Sequence, residues 1–182
     1  NFMVAKMIFQ GKLLDEKLIF GSGTEKLAYE LEKWNIKLIH LHHFMYMNDI
    51  LRNFLLSGRY RVAVTLHDYY VVCPRVNMTK NGKYCYEACD NECNACMNDS
   101  LAESSGDLEC RISRFPDIVS WRKYWFEFLY KADYVFVPSS DQRKRLLRYF
   151  PSLTKIRVVE NPEIVVPPDT CNVKFRKVGI LG

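Results

Sequence analysis

The chain has 182 residues, 48% of them hydrophobic and 14% aromatic, with a net charge of +5 from 26 Lys and Arg against 21 Asp and Glu. That supplies a core for one good-sized domain, or a domain plus part of another, and the mild charge argues for a solvated surface rather than nucleic-acid binding. No apolar run reaches the roughly eighteen residues of a membrane span, and no signal peptide is visible.

Residues Phe2–Phe9 and Leu18–Phe20 read as short strands around Gly11 and Lys12. Ser22-x-x-Glu25 has the form of a capping box, opening a helix whose Leu27, Ala28, Leu31 and Trp34 share one face. Ile36–Leu41 is a strand ending in His42 and His43. Asn48 or Asp49 caps a helix over Ile50–Leu56 that Gly58 closes. Arg61–Leu66 is the next strand, and its nearly unbroken apolar run suits cover on both faces. An irregular segment, 69–115, follows; a structureless loop of that length in a compact domain needs cross-links to hold it.

Pro116 sits where a first helical turn tolerates it, and the helix through Ala132 carries Ile118, Trp121, Trp125, Phe128 and Leu129. Tyr134–Val137 is a strand, Ser139–Ser140 caps a helix to Phe150, and Ile156–Glu160 is another strand. Residues 161–175, with Pro162, Pro167 and Pro168, read as a linker, and 176–182 as the first strand of something new. The start at Asn1 and the stop at Gly182 are those expected of a piece cut from a longer protein. The alternation predicts an α/β domain over 1–160: a parallel sheet with helices on both faces and a long Cys-rich loop insertion.

Open sheets of this class place their chemistry where strands end. His67–Asp68 ends the apolar strand and opens the polar loop, so His67 is the first candidate; an imidazole there can exchange hydrogen bonds with a hydroxyl or phosphate near neutral pH. His40 and His42 fall on one face of their strand and His43 on the other, so that one of them shares the crevice with His67 or they pack under the following loop.

Seven cysteines is an odd number for a disulfide framework, and the surrounding domain needs no staples. This favours a reducing, cytoplasmic compartment. Cys93-x-x-Cys96 is a knuckle that presents two thiolates to one zinc; Cys73 and Cys85 are the expected second pair, with Cys89 as the alternate. Such a zinc would be structural, and disulfides or free thiols are the other readings. Cys89-x3-Cys93-x2-Cys96 also has the spacing of a radical SAM iron–sulfur enzyme, although Ala95 stands where an aromatic is usual. A third reading is a non-catalytic, metal-stabilised binding domain.

The string VTLHDYYVVCPRVN, then Gly82-x-x-Cys85 and Cys93-x-x-Cys96, then Trp121–Arg122, Ala132–Asp133, YVFVPSS and VVENP, resembles bacterial glycosyltransferases of family 4 over roughly Ile36 to Gly182. The resemblance implies one Rossmann-like lobe of a GT-B fold: the acceptor side of a retaining hexosyltransferase that uses a nucleotide-sugar donor and acts on a glycan or lipid-linked acceptor in surface polysaccharide synthesis. It implies His67 at the donor sugar and Ser139 at a helix N-terminus facing the cleft; Asp68, Tyr69 and His42, read from their own positions, are the further candidate substrate-binding residues. Tyr69 and Tyr70 suit stacking on sugar or packing in the core. The family's first strand and Gly-rich loop are not found before Gly21–Ser22–Gly23, and the donor is held mainly by a second lobe. The piece alone is therefore expected to be inactive. The basic run Arg143, Lys144, Arg145 and Arg148 on one helix adds an expected peripheral contact with anionic headgroups at the inner membrane face.

Overall fold

The computed structural model describes residues 3–9, 12–20, 24–44, 47–85, 89–103 and 113–160. Strands β1 (Met3–Phe9) and β2 (Lys12–Phe20) pair antiparallel, Met3 opposite Phe20 and Phe9 opposite Lys12, in a two-stranded sheet of their own. The strand expected at Leu18–Phe20 is thus the end of a nine-residue strand. Helix α1 (Glu25–Lys33) starts from Thr24, which makes no side-chain capping bond. The capping box expected at Ser22 lies outside the described residues. The helix buries Leu27 and Leu31 against Tyr60.

Strand β3 (Leu38–Leu41) leads to α2 (Asp49–Leu55), and Asn48 is its cap: the Asn48 side chain accepts from the Leu51 N–H at 2.9 Å. Gly58 follows at φ +79°, a left-handed turn that a glycine adopts without strain. Strand β4 is Arg61–Thr65, and Val62, Ala63 and Val64 are all buried, as their unbroken apolar run requires.

The segment expected to be irregular holds regular structure. Strands β5 (Thr79–Lys80) and β6 (Lys83–Tyr84) make a small hairpin, and α3 (Asp90–Glu103) is a 14-residue helix. Helix α3 has no apolar stripe at helical spacing for a sequence pattern to show. Met97 is buried and Cys93 half-buried, whereas Asp90, Asn91, Glu92 and Asn98 are exposed. Helices of that kind are held by their neighbours rather than by propensity. Here Asn94 Oδ1 accepts the first N–H of the next helix, from Ile118 at 2.8 Å.

That helix, α4 (Ile118–Lys131), is capped by Asp117, whose carboxylate accepts from Ser120 N–H at 2.6 Å, so Pro116 precedes the cap instead of filling the first turn. Strand β7 (Tyr134–Val137), α5 (Ser140–Tyr149) and β8 (Ile156–Val158) complete the lobe. The four strands β3, β4, β7 and β8 lie in that order, all parallel. This is the Rossmann-like α/β arrangement that the alternation predicts. Val62, Val64, Val135, Val137 and Ile156 share one core with Trp121, Trp125, Phe128, Leu129 and Leu146. The linker and second-lobe strand expected over 161–182 lie outside the described residues, as do Cys110 and Cys171.

Candidate functional site

The site grows out of one register. His40 on β3 pairs with Ala63 on β4 in the parallel ladder. Side chains alternate between faces, so His40 and His42 share a face with Ala63, Thr65 and His67. His40 Nε2 meets Thr65 Oγ1 at 2.8 Å, and His42 Nδ1 meets His67 Nε2 at 2.9 Å. The His40 and His42 rings stand 4.3 Å apart, and the His42 and His67 rings stack at 5.2 Å. The opposite parity puts His43 beside Asp68, Nε2 to Oδ2 at 3.3 Å. Two adjacent strand ends thus present an exposed row of three imidazoles with a histidine–carboxylate pair behind it.

Electrostatics keeps part of this row neutral. Partial burial, then the neighbouring His42 and His67, lowers the pKa of His40 below its ordinary 6.5; burial and His67 do the same to His42.

Asp68 is fixed by the turn that it starts, because its Oδ1 accepts from Tyr70 N–H at 2.8 Å. Gln142, the buried polar residue of α5, donates its side-chain amide to the carbonyls of Leu66 (3.1 Å) and Asp68 (3.0 Å), on either side of His67. Ser139 caps the same helix: its Oγ accepts the Gln142 N–H at 3.1 Å. The Ser139 oxygen thus accepts within the helix, and the residue stands exposed at the N-terminal end of α5. Sequence reasoning missed Gln142 and the His43–Asp68 pair. For Gln142 the available signal was a polar residue four positions before buried Leu146, on the helix's inward face.

The two tyrosines part ways. Tyr70 is buried, edge-on to Trp121 at 5.0 Å, and its carbonyl accepts from Trp121 Nε1 at 3.0 Å, so it packs in the core and does not stack on sugar. Tyr69 is half-buried against that core, and burial raises its phenol pKa, with Arg145 opposing. Its backbone closes the loop: Tyr69 N–H donates to Val76 O, while Val72 and Cys73 N–H donate to Tyr69 O, each at 2.9 Å.

Cys73, Cys85, Cys93 and Cys96 line one cavity of about 380 Å³, which none of the histidines touch. Cys89 is exposed and outside that lining, so the spacing read as a radical SAM motif does not converge on one point. Among the described residues no three His, Cys, Asp or Glu side chains already stand at metal-binding spacing, and no disulfide joins the five described cysteines. Burial pushes the Cys73 thiol up to about 11, with Cys96, Cys93 and Cys85 adding to the rise. Of the basic run on α5, Arg143 donates to the Ile156 carbonyl (3.0 Å) and Arg145 to Asp141 (2.7 Å) and the Tyr84 hydroxyl (2.5 Å), so two of its cations serve internal contacts.

A family model described as Glycosyltransferase Family 4 matches residues 11–162, most of the chain. No curated protein and no solved structure matches it.

Proposed function

The chain belongs to glycosyltransferase family 4, and from that premise we propose that it is the acceptor-side lobe of a retaining hexosyltransferase, which moves a sugar from a nucleotide-sugar to a glycan or lipid-linked acceptor of surface polysaccharide synthesis. The observation that supports this most is the placement of His67: exposed at the end of central strand β4, its ring against His42 and both flanking carbonyls held by Gln142. A neutral pair takes a single hydrogen between His42 Nδ1 and His67 Nε2. If His67 accepts it, His67 Nδ1 carries a hydrogen and donates to a sugar hydroxyl; if His67 gives it, Nδ1 accepts. Either way the outer nitrogen is set for one hydrogen bond in one direction.

In the transfer the bond from the anomeric carbon to the diphosphate breaks, a bond to the acceptor oxygen forms on the same face, and the acceptor's proton leaves with the diphosphate. His67 orients the donor sugar, and the N-terminal end of α5 at Ser139 suits an anionic group. The larger share of the rate comes from positioning and from stabilising charge on the leaving diphosphate, which the second lobe supplies. On this reading residues 1–182 alone have no turnover, and the complete enzyme acts in the cytoplasm at the inner membrane face, with the basic helix α5 toward anionic lipid.

The test is His67→Ala in the complete enzyme, assayed by nucleoside diphosphate release with folding checked by circular dichroism. We expect turnover to fall by about 100-fold or more with the fold intact. A wild-type rate in a folded variant overturns the assignment.

A further inference from the structure

Three separate pieces of chain deliver cysteines to the one cavity: Cys73 from the turn closed by Tyr69, Cys85 from the end of the β5–β6 hairpin, and Cys93 with Cys96 from α3. The last two are one helical turn apart, so they face the same way. The hairpin delivers Cys85 by a backbone bond, its N–H to the Met78 carbonyl at 2.7 Å. Arg122 of α4 ties the parts together. It donates to Cys93 Sγ at 3.3 Å, to the carbonyl of Val72, the residue before Cys73, at 3.1 Å, and to Asp90 at the head of α3 at 2.6 Å. A hydrogen bond of this kind would orient Cys93 as a metal ligand.

We propose that Cys73, Cys85, Cys93 and Cys96 bind one zinc-class divalent cation as a closed four-thiolate structural site. Four sulfur donors select a soft or borderline cation of tetrahedral preference, and a set complete in protein ligands leaves no open position for catalysis. Binding releases the thiol protons, draws the cavity walls together and leaves a net negative charge that Arg122 partly balances. The cross-link ties together a segment whose described strands are two residues long and whose helix, among its described side chains, buries only Met97. It also reaches the candidate site: the Cys73 N–H holds the turn that starts at Asp68. The metal is thus assigned to hold the loop behind His67, not to take part in transfer. The assignment stands whether or not His67 serves the donor.

Metal analysis of the chain, purified under reducing conditions without chelator, decides it. We expect about one zinc per chain, released by a mercurial thiol reagent, retained by Cys89→Ser and lost by Cys93→Ser/Cys96→Ser. Cobalt(II) in its place should show sulfur-to-cobalt charge transfer and the visible bands of a tetrahedral site. Should the double variant fail to fold, the Cys89→Ser content and the cobalt spectrum of the unaltered chain still decide. Folded, metal-free protein overturns the site, as do zinc that survives the double substitution, a disulfide among the four cysteines, or an iron–sulfur chromophore.

Discussion

His42 Nδ1 stands 2.9 Å from His67 Nε2, and only one hydrogen fits between them. Partial burial first, and the neighbouring His67 imidazole second, make His42 resist charge.

The first prediction follows from that resistance. His40 and His42 have pKa values lowered below 6.5, by burial first and by neighbouring imidazoles second. The unfolded chain therefore takes up protons before the folded one as pH falls. Stability from the neutral rings is fully present above the ordinary histidine value and is lost as pH falls through it toward the lowered folded values. Melting temperatures between about pH 8 and pH 5 should drop more steeply in the wild type than in His42→Gln. Equal slopes in the two proteins would remove the claim.

Gln142 is the buried polar tie between α5 and the strand end that bears His67. Gln142→Leu keeps much of the volume but leaves the Leu66 and Asp68 carbonyls without that donor, which costs about 1–3 kcal/mol. Urea titration should show that loss. In the complete enzyme the folded variant should also turn over more slowly, because His67 is no longer held from both sides. Unchanged stability would mean that water replaces the amide without penalty.

Ser139 separates capping from substrate contact. Ser139→Ala should lose about 1 kcal/mol, since the Gln142 N–H loses its acceptor. Ser139→Asp keeps a good cap and adds negative charge at the helix end. We expect stability close to wild type with a raised KM for the nucleotide-sugar in the complete enzyme. An unchanged KM would show that the donor's anionic part stays away from this helix end.

Two core tryptophans give a matched pair. Trp121 Nε1 donates to the Tyr70 carbonyl at 3.0 Å, whereas Trp125 Nε1 is buried with no hydrogen-bond partner among the described residues. Trp121→Phe and Trp125→Phe remove similar volume, but only the first orphans an acceptor. Denaturant unfolding should place Trp121→Phe lower than Trp125→Phe by about 1–2 kcal/mol. The reverse order would mean that cavity formation, not the hydrogen bond, dominates.

Much of the lobe was legible in the chain because its signals are local. The Tyr134–Val137 strand, the Asn48 and Ser139 caps, and the stripe Ile118, Trp121, Trp125, Phe128 and Leu129 each announce themselves within a few residues. Helix α3 was not legible, because Asp90 to Glu103 has no apolar period and is held by α4 through Asn94. The capping box read at Ser22 lies outside the described residues, and the helix itself begins from Thr24.

By itself the sequence determined the alternation of strands and helices, the family's ordered motifs and the identity of the groups available at the strand ends. It could name His42, His43, His67 and Asp68 without saying which faces which. That was decided by the parallel register of β3 on β4: one residue of slip would turn His42 away from His67 and His43 from Asp68, since side chains alternate at period two. The packing likewise brings four of the five described cysteines to one cavity, because Cys93 and Cys96 share a helical face while Cys89 precedes it. Spacing along a chain lists the partners; only the packing of distant segments brings a particular pair within bonding distance.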